Sequence, residues 1–365
     1  MNLLLFNLKT DADADTQGFT TRWIAAIAND ERVEQVVVLT MYAGRIDVPE
    51  NVRVLSVGRE SGYSKFRRFF RFYRLLFGVL CRHRIDACFS HMTPIFSVMA
   101  GPVLRILRIP LVTWFAHPSL TWKLKLAHRL SVRMVTSVPS AYPYRHDKLV
   151  VIGQGIDTNL FSPDQTPEDE PPMVLCVGRL SPVKGHDVLL DAIEILQGRR
   201  ETALRVLMLG NIPDAKEHRS YVSDLRNRIC RPPLLSIAEI GDPVPNHALP
   251  SWYRRCAAHV NLTPSGFGDK VALEAMACGR PCLVCNEGFR ETLGTYGDRL
   301  LFEHGNPTDL AEKLEWCLSL PSDEREKIGA YLRQRVMELH GLDRLADCLV
   351  QLLHELREKS LRSQI

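Results

Sequence analysis

No run of about 18 apolar residues occurs in this 365-residue sequence, so no transmembrane helix is expected. Residues 1–8 are largely apolar but too short for a signal peptide, and no small-residue cleavage site follows; they read as a first buried strand. The ten cysteines form no zinc-finger spacing. Cys278, Cys282 and Cys285 lie close in sequence, but no His or fourth Cys completes a ligand set. No metal is expected there, and the thiols read as buried and free in a reducing cytoplasm. The P-loop string Gly-x4-Gly-Lys-Ser/Thr is missing, as is any nucleic-acid-binding motif. Residues 65–84 contain no Asp or Glu, against seven Lys and Arg.

With 45% hydrophobic residues, the chain can bury two cores. Residues 164–172 are acidic, rich in proline and without apolar side chains, and read as a linker between domains 1–163 and 173–341. Strand and helix patterns alternate in both halves, which predicts parallel sheets with helices on both faces. The expected strands of the first half are 3–8, 36–40, 52–57, 87–91, 111–115, 134–137 and 150–152. Those of the second are 173–177, 204–209, 235–240, 259–262, 282–285 and 300–302. The fold class is therefore α/β, with two Rossmann-like domains.

The segment Ser265-Gly-Phe-Gly-Asp-Lys-Val-Ala-Leu-Glu274 follows one of these strands and opens a helix near Asp269. A strand, a glycine turn and a helix start make an anion site, because backbone N–H groups and the helix dipole point at the ligand. Gly266, Phe267, Gly268 and Asp269 form that turn, and Glu274 stands early on the helix, where a carboxylate can accept bonds from ribose hydroxyls. A second strand, 173–177, leads into Gly178-Arg-Leu-Ser-Pro-Val-Lys-Gly185. Arg179 and Lys184 then fall at a strand's carboxyl end, where open α/β sheets bind ligands and where two cations suit a diphosphate.

Together these segments resemble the retaining glycosyltransferases of family 4, the glycosyl transferases group 1. That family carries G-R-L-x3-K-G-x-D-x-L, later E-x7-E running into A-M-A-x-G-x-P. Gly178 to Leu189 fits the first string, and Glu274-Ala-Met-Ala-Cys-Gly-Arg-Pro281 fits the end of the second. Gly153-Gln-Gly-Ile-Asp-Thr-Asn-Leu-Phe-Ser-Pro163 resembles the family's interdomain stretch. The resemblance implies the GT-B fold, two Rossmann-like domains facing across a cleft, with a last helix, 342–365, crossing back to the first domain. It implies a nucleotide-diphosphate sugar as donor, bound by the second domain, a glycan or lipid-linked acceptor bound by the first, and no cofactor. One position departs from the pattern: eight residues before Glu274 stands Gly266, not Glu. Asp269 is left either to cap the helix or to inherit sugar contacts. Glu291, in Gly288-Phe-Arg-Glu291, fits the family's G-x-x-E turn near the donor. His117 ends a strand of the first domain, as functional histidines of the family do, and His91 is an alternative facing the acceptor. Gly18 stands where the family often has Gly-Gly.

Asp11-Ala-Asp-Ala-Asp15 contains the Asp-x-Asp string that holds a divalent ion in other glycosyltransferases, but this fold class does not need it and the loop reads as solvated. Charge is uneven: residues 1–160 carry 21 Lys and Arg against 12 Asp and Glu. Phe66, Phe69, Phe70, Tyr73 and Phe77 recur at helical spacing and read as a stripe facing the core, with Arg67, Arg68, Arg71 and Arg74 on another face. That basic face suits anionic lipid better than nucleic acid, which places the protein in the cytoplasm, peripheral to the inner face of a membrane. Two other readings remain: a nucleotide-sugar 2-epimerase of the same architecture, or a non-catalytic sugar-nucleotide binder. The epimerases lack the two strings quoted above, and Gly266 is the feature that favours the binder.

Overall fold

The computed structural model describes residues 1–13, 19–199 and 203–362. The chain divides into two units, Met1–Gly155 with Leu342–Ile365, and Ile156–Gly341. In unit 1 the elements are β1 (Asn2–Thr10), α1 (Phe19–Ala28), β2 (Gln35–Ala43), β3 (Val52–Ser56), α2 (Lys65–Arg82) and β4 (Ala87–His91). They continue with α3 (Pro94–Ile106), β5 (Leu111–Trp114), α4 (Trp122–Leu130), β6 (Arg133–Thr136) and β7 (Leu149–Val151). Unit 2 begins with β8 (Met173–Val177), α5 (His186–Arg199), β9 (Arg205–Leu209), α6 (Lys216–Ile229), β10 (Ala238–Gly241) and α7 (Leu249–Arg255). It goes on with β11 (Ala258–Asn261), α8 (Lys270–Ala277), β12 (Cys282–Val284), α9 (Arg290–Leu293), α10 (Gly297–Leu300), α11 (Pro307–Ser319) and α12 (Ser322–His340). The last helix, α13 (Leu342–Arg362), belongs to unit 1.

Both sheets are parallel, ordered β3-β2-β1-β4-β5-β6-β7 and β10-β9-β8-β11-β12. Central strands such as β8 are apolar runs because both faces are covered. In β1 the period of two is visible in the packing. Leu3 and Leu5 join the core formed with α1 and α13, while Leu4 and Phe6 join Phe72 of α2 and Phe96 of α3 on the opposite face. Leu345, Leu349 and Leu353 of α13, one helical stripe, are fully buried in the first of these cores.

Four expectations are corrected. The division falls at Gly155, ahead of residues 164–172, which are docked on unit 2. Arg280 and Arg325 hold the Glu168 carboxylate, and Arg255 holds Asp169 at 2.7 Å, so this acidic stretch is anchored by charge. No strand starts at Leu235, because residues 231–235 turn and leave that side chain exposed. Residues 300–302 give a single bridge, Leu301 to Val284, since Leu300 closes α10. The aromatic stripe of α2 faces outward: Phe72, Leu76 and Val79 are its buried side chains, and Phe66, Phe69, Phe70 and Phe77 are exposed. The helix carries two apolar rows, and only the packing against α3 shows which one is core. All ten cysteines are free thiols, and six of those in unit 2 are buried.

Candidate functional site

In unit 2, β8 and β11 are neighbours, yet the chain leaves β8 toward β9 and returns on the other side to β11. This is the point where strand order reverses, and open α/β sheets bind ligands beyond the carboxyl ends of the strands at such a point. Both sequence segments end at it. After β8, Gly178 and Arg179 leave the sheet, and a short 3-10 turn, Pro182–Lys184, closes on Gly185 in the left-handed region. Gly210, after β9, lies so close that a Cβ on it would sit 1.7 Å from the Gly178 carbonyl oxygen. A side chain there would push the Arg179 loop away from its place.

That turn carries Lys184 across to the β11 loop. Its Nζ donates to Thr263 Oγ1 at 2.7 Å and pairs with Asp269. Asp269 also accepts from Asn261 Nδ2 at 2.9 Å and from Thr263 Oγ1. Both members of the ion pair are nearly out of water, with side chains 14% and 12% exposed. Burial pushes the Asp269 carboxyl up, but the Lys184 charge and the bonds from Asn261, Lys184 and Thr263 outweigh it and bring it to about 2. Asp269 occupies the N-cap position of α8, yet its side chain makes no capping bond. The capping expectation is thus corrected: one ammonium in a low-dielectric site outweighs one cap hydrogen bond.

Gly266 is buried with φ +94°, a conformation that favours glycine, and it turns the chain toward α8. Phe267 and Gly268 follow, half-buried. The turn is fixed from the β12 side, where Asn286 Nδ2 donates to the Phe267 carbonyl at 2.9 Å and Ser265 Oγ accepts from Glu287 N at 3.0 Å. Glu291, in the first turn of α9, is exposed. Glu274 is buried on α8, where its carboxylate accepts from Asn246 Nδ2 at 3.1 Å and Tyr253 Oη at 3.3 Å. Burial pushes both the Glu274 carboxyl and the Tyr253 phenol up. Arg179 is exposed and has no acidic partner among the described residues.

Asn261, Thr263, Asn246 and Tyr253 were not singled out in sequence. The signal for the first two was present. Asn261 and Thr263 stand two apart at the end of an apolar strand, so both point to one face. Asn246 and Tyr253 reach Glu274 from a distant turn and from α7, which no local pattern encodes.

In unit 1 the corresponding reversal lies between β1 and β4. His91 ends β4, buried against Trp23, with ring centroids 4.8 Å apart. His117 follows β5, and its Nδ1 accepts from Ser119 N at 3.1 Å. In the neutral ring the proton then sits on Nε2. Asp11 pairs with Lys9 at 3.3 Å and accepts from Arg45 N, and Asp13 is held by the Arg45 guanidinium at 2.8 Å. Gly18 and Asp15 lie outside the described residues.

Residues 157–335 match the family model described as glycosyl transferases group 1. The chain is 30% identical over 192 residues to a D-inositol 3-phosphate glycosyltransferase of Streptosporangium roseum, an overlap of 48% of this chain and 42% of that protein. It spans about half the length or less of the first such relatives it matches. Among solved structures, Anabaena HepE in complex with UDP superposes with a TM-score of 0.75 at 17% identity, covering 97% of this chain and all of the other. Sucrose-phosphate synthase of Thermosynechococcus elongatus gives 0.76 at 17% identity, over 98% of this chain and 99% of the other. These two likenesses show the shared fold, a pair of Rossmann-like α/β units of GT-B type.

Proposed function

We propose, for a chain whose residues 157–335 match the family model of the glycosyl transferases group 1, retaining transfer of a sugar from a nucleotide-diphosphate sugar to a hydroxyl acceptor. The observation that carries it is the pair of loops beyond β8 and β11, which sets Arg179, Lys184, Asp269 and Glu274 around one strand-order reversal. In the reaction the bond from the anomeric carbon to the diphosphate oxygen breaks, and its electron pair leaves with the diphosphate. Arg179 and Lys184 offset that charge as it develops. Asp269 and Thr263 hold the Lys184 side chain in place. Glu274 takes the ribose hydroxyls in exchange for one of its bonds to Asn246 or Tyr253. Retention follows if the acceptor oxygen attacks from the face the diphosphate leaves, its proton passing to the departing phosphate oxygen. To the first unit we assign a functional His117, with Nε2–H as donor, and the acceptor-side residues His91 and Gly18. Glu291 and residues 266–268 belong to the donor side. The acceptor is a glycan or lipid-linked glycan reached from the cytoplasm at the inner face of a membrane. No described helix is long and apolar enough to cross one.

One observation on another protein supports the donor class: HepE has been solved with UDP and with UDP-glucose. The test is a melting screen against UDP-, GDP-, ADP- and CMP-sugars. A donor at about 100 times its Kd should stabilise the protein by about 2.7 kcal/mol. The proposal fails if none of the four raises the melting temperature. Gly266 at the family's Glu position keeps a non-catalytic binder in view. A stabilising donor that is neither transferred nor slowly hydrolysed would select that reading.

Activity is expected to survive EDTA. Asp11 and Asp13 are engaged by Lys9 and Arg45. Loss of transfer on chelation, restored by Mn²⁺ or Mg²⁺, would contradict this.

A further inference from the structure

Helix α2 has three faces. Phe72, Leu76 and Val79 fix it to the core of unit 1. Arg67, Arg71, Arg74 and Arg82 form a second row, and Phe66, Phe69, Phe70 and Phe77 a third, about 100° of helix rotation away. The four phenylalanines are 73%, 45%, 56% and 49% exposed. They run along about 16 Å of helix, since each residue rises about 1.5 Å. A row of this kind on a folded domain marks an interaction surface.

We propose that this face of α2 docks unit 1 on an anionic lipid bilayer, with the rings in the acyl boundary and the arginines at the head groups. Charge and ring geometry both favour lipid. Residues 65–84 carry seven cations and no carboxylate, and Lys65, Arg74 and Arg82 are exposed. Arg53, Arg74, Arg82 and His83 line a groove of about 320 Å³ between α2 and β3, floored by Leu55, Leu75 and Val79. No carboxylate lines it, so it suits a phosphate head group. A nucleic acid would need open ring faces for stacking. Here Phe66 and Phe70 pack edge to face at 4.7 Å, and Phe69 does the same with Tyr73 at 5.0 Å. Rings clustered this way present a common apolar ridge, as an interfacial helix does. The anchored row means that docking requires no unfolding of α2.

Sedimentation with vesicles of phosphatidylcholine, alone or mixed with phosphatidylglycerol, tests the proposal on the full chain. The protein should bind the mixed vesicles at low salt and keep a reduced, ring-dependent fraction at high salt, because salt screens only the charge. Arg74→Gln with Arg82→Gln should weaken binding about thirtyfold, at roughly fivefold per cation. Phe66, Phe69, Phe70 and Phe77→Gln together should remove the salt-resistant fraction. An insertion readout needs no such variant: Cys81 is exposed on α2, and a solvatochromic dye on it, in a Cys230→Ser background, should shift to the blue with mixed vesicles. Failure of the wild type to sediment, or sedimentation without a dye shift, overturns the proposal. So does binding to heparin or self-association in place of vesicle binding. Melting shifts with nucleotide sugars should be the same in all these variants, which separates this surface from the donor site.

Discussion

Lys184→Ala should lose stability and turnover together. The ammonium and the Asp269 carboxylate form a pair with both side chains largely buried, so removing one leaves the other charged and unpartnered in low dielectric. Breaking a buried pair in this way costs about 3–5 kcal/mol. For a unit of this size that lowers the melting temperature by roughly 6–20 °C, at about 2–4 °C per kcal/mol. Turnover should fall about 10²–10³-fold in whatever fraction stays folded, as on loss of one charge-stabilising donor. The double variant Lys184→Met, Asp269→Asn removes both charges. It should recover most of the melting temperature and none of the turnover. The pair also sets an acid response. Asp269 is depressed to about 2 from an unfolded value of about 3.9, so its stabilisation is complete above the unfolded value. It is lost as pH falls from about 4 toward 2, and that component should be missing from the double variant. Calorimetry across this range decides the matter: a Lys184→Ala protein that melts like the wild type would show that the pair does not hold unit 2 together.

Arg179→Ala should do the opposite, removing turnover while leaving the fold alone. Arg179 is exposed, on a loop fixed by the Gly178–Gly210 approach, and no acid among the described residues depends on it. Surface changes of this kind move stability by only about 0.5 kcal/mol. In the proposed reaction its charge offsets that of the leaving diphosphate, so kcat/KM should fall about 10²–10³-fold. Arg179→Lys keeps the charge but loses the planar fork, and should recover only part. Near-normal turnover by a folded Arg179→Ala protein would remove the diphosphate from this loop and with it the basis of the donor assignment.

The two kinds of basic residue illustrate what a sequence can and cannot carry. A strand such as Met173–Val177 was legible to the residue, because a strand buried on both faces reads as a near-continuous apolar run. The order of the glycine turns was legible too, since a chain entering a left-handed turn at Gly185 or Gly266 has few other residues to use. The edge elements were not. Leu300 and Leu301 are as apolar as any strand pair, and they give one bridge because Leu300 closes α10.

The sequence by itself determined two alternating α/β halves, the ends of the strands at which ligand chemistry gathers, and the unequal distribution of charge. These are local properties: periodicity, turn chemistry and residue type act within a few positions of one another. Which partner each charge finds depends on contacts between residues far apart in the chain, and only the tertiary structure decided that. It gave Lys184 to Asp269, 85 positions away, instead of leaving it to solvent, and it paired the acidic 164–172 stretch with four arginines of unit 2. It also turned four phenylalanines of α2 to the surface, because Phe72, Leu76 and Val79 had already filled the space against Phe6 and Phe96. A close-packed core admits one row of a helix, and the sequence offered two.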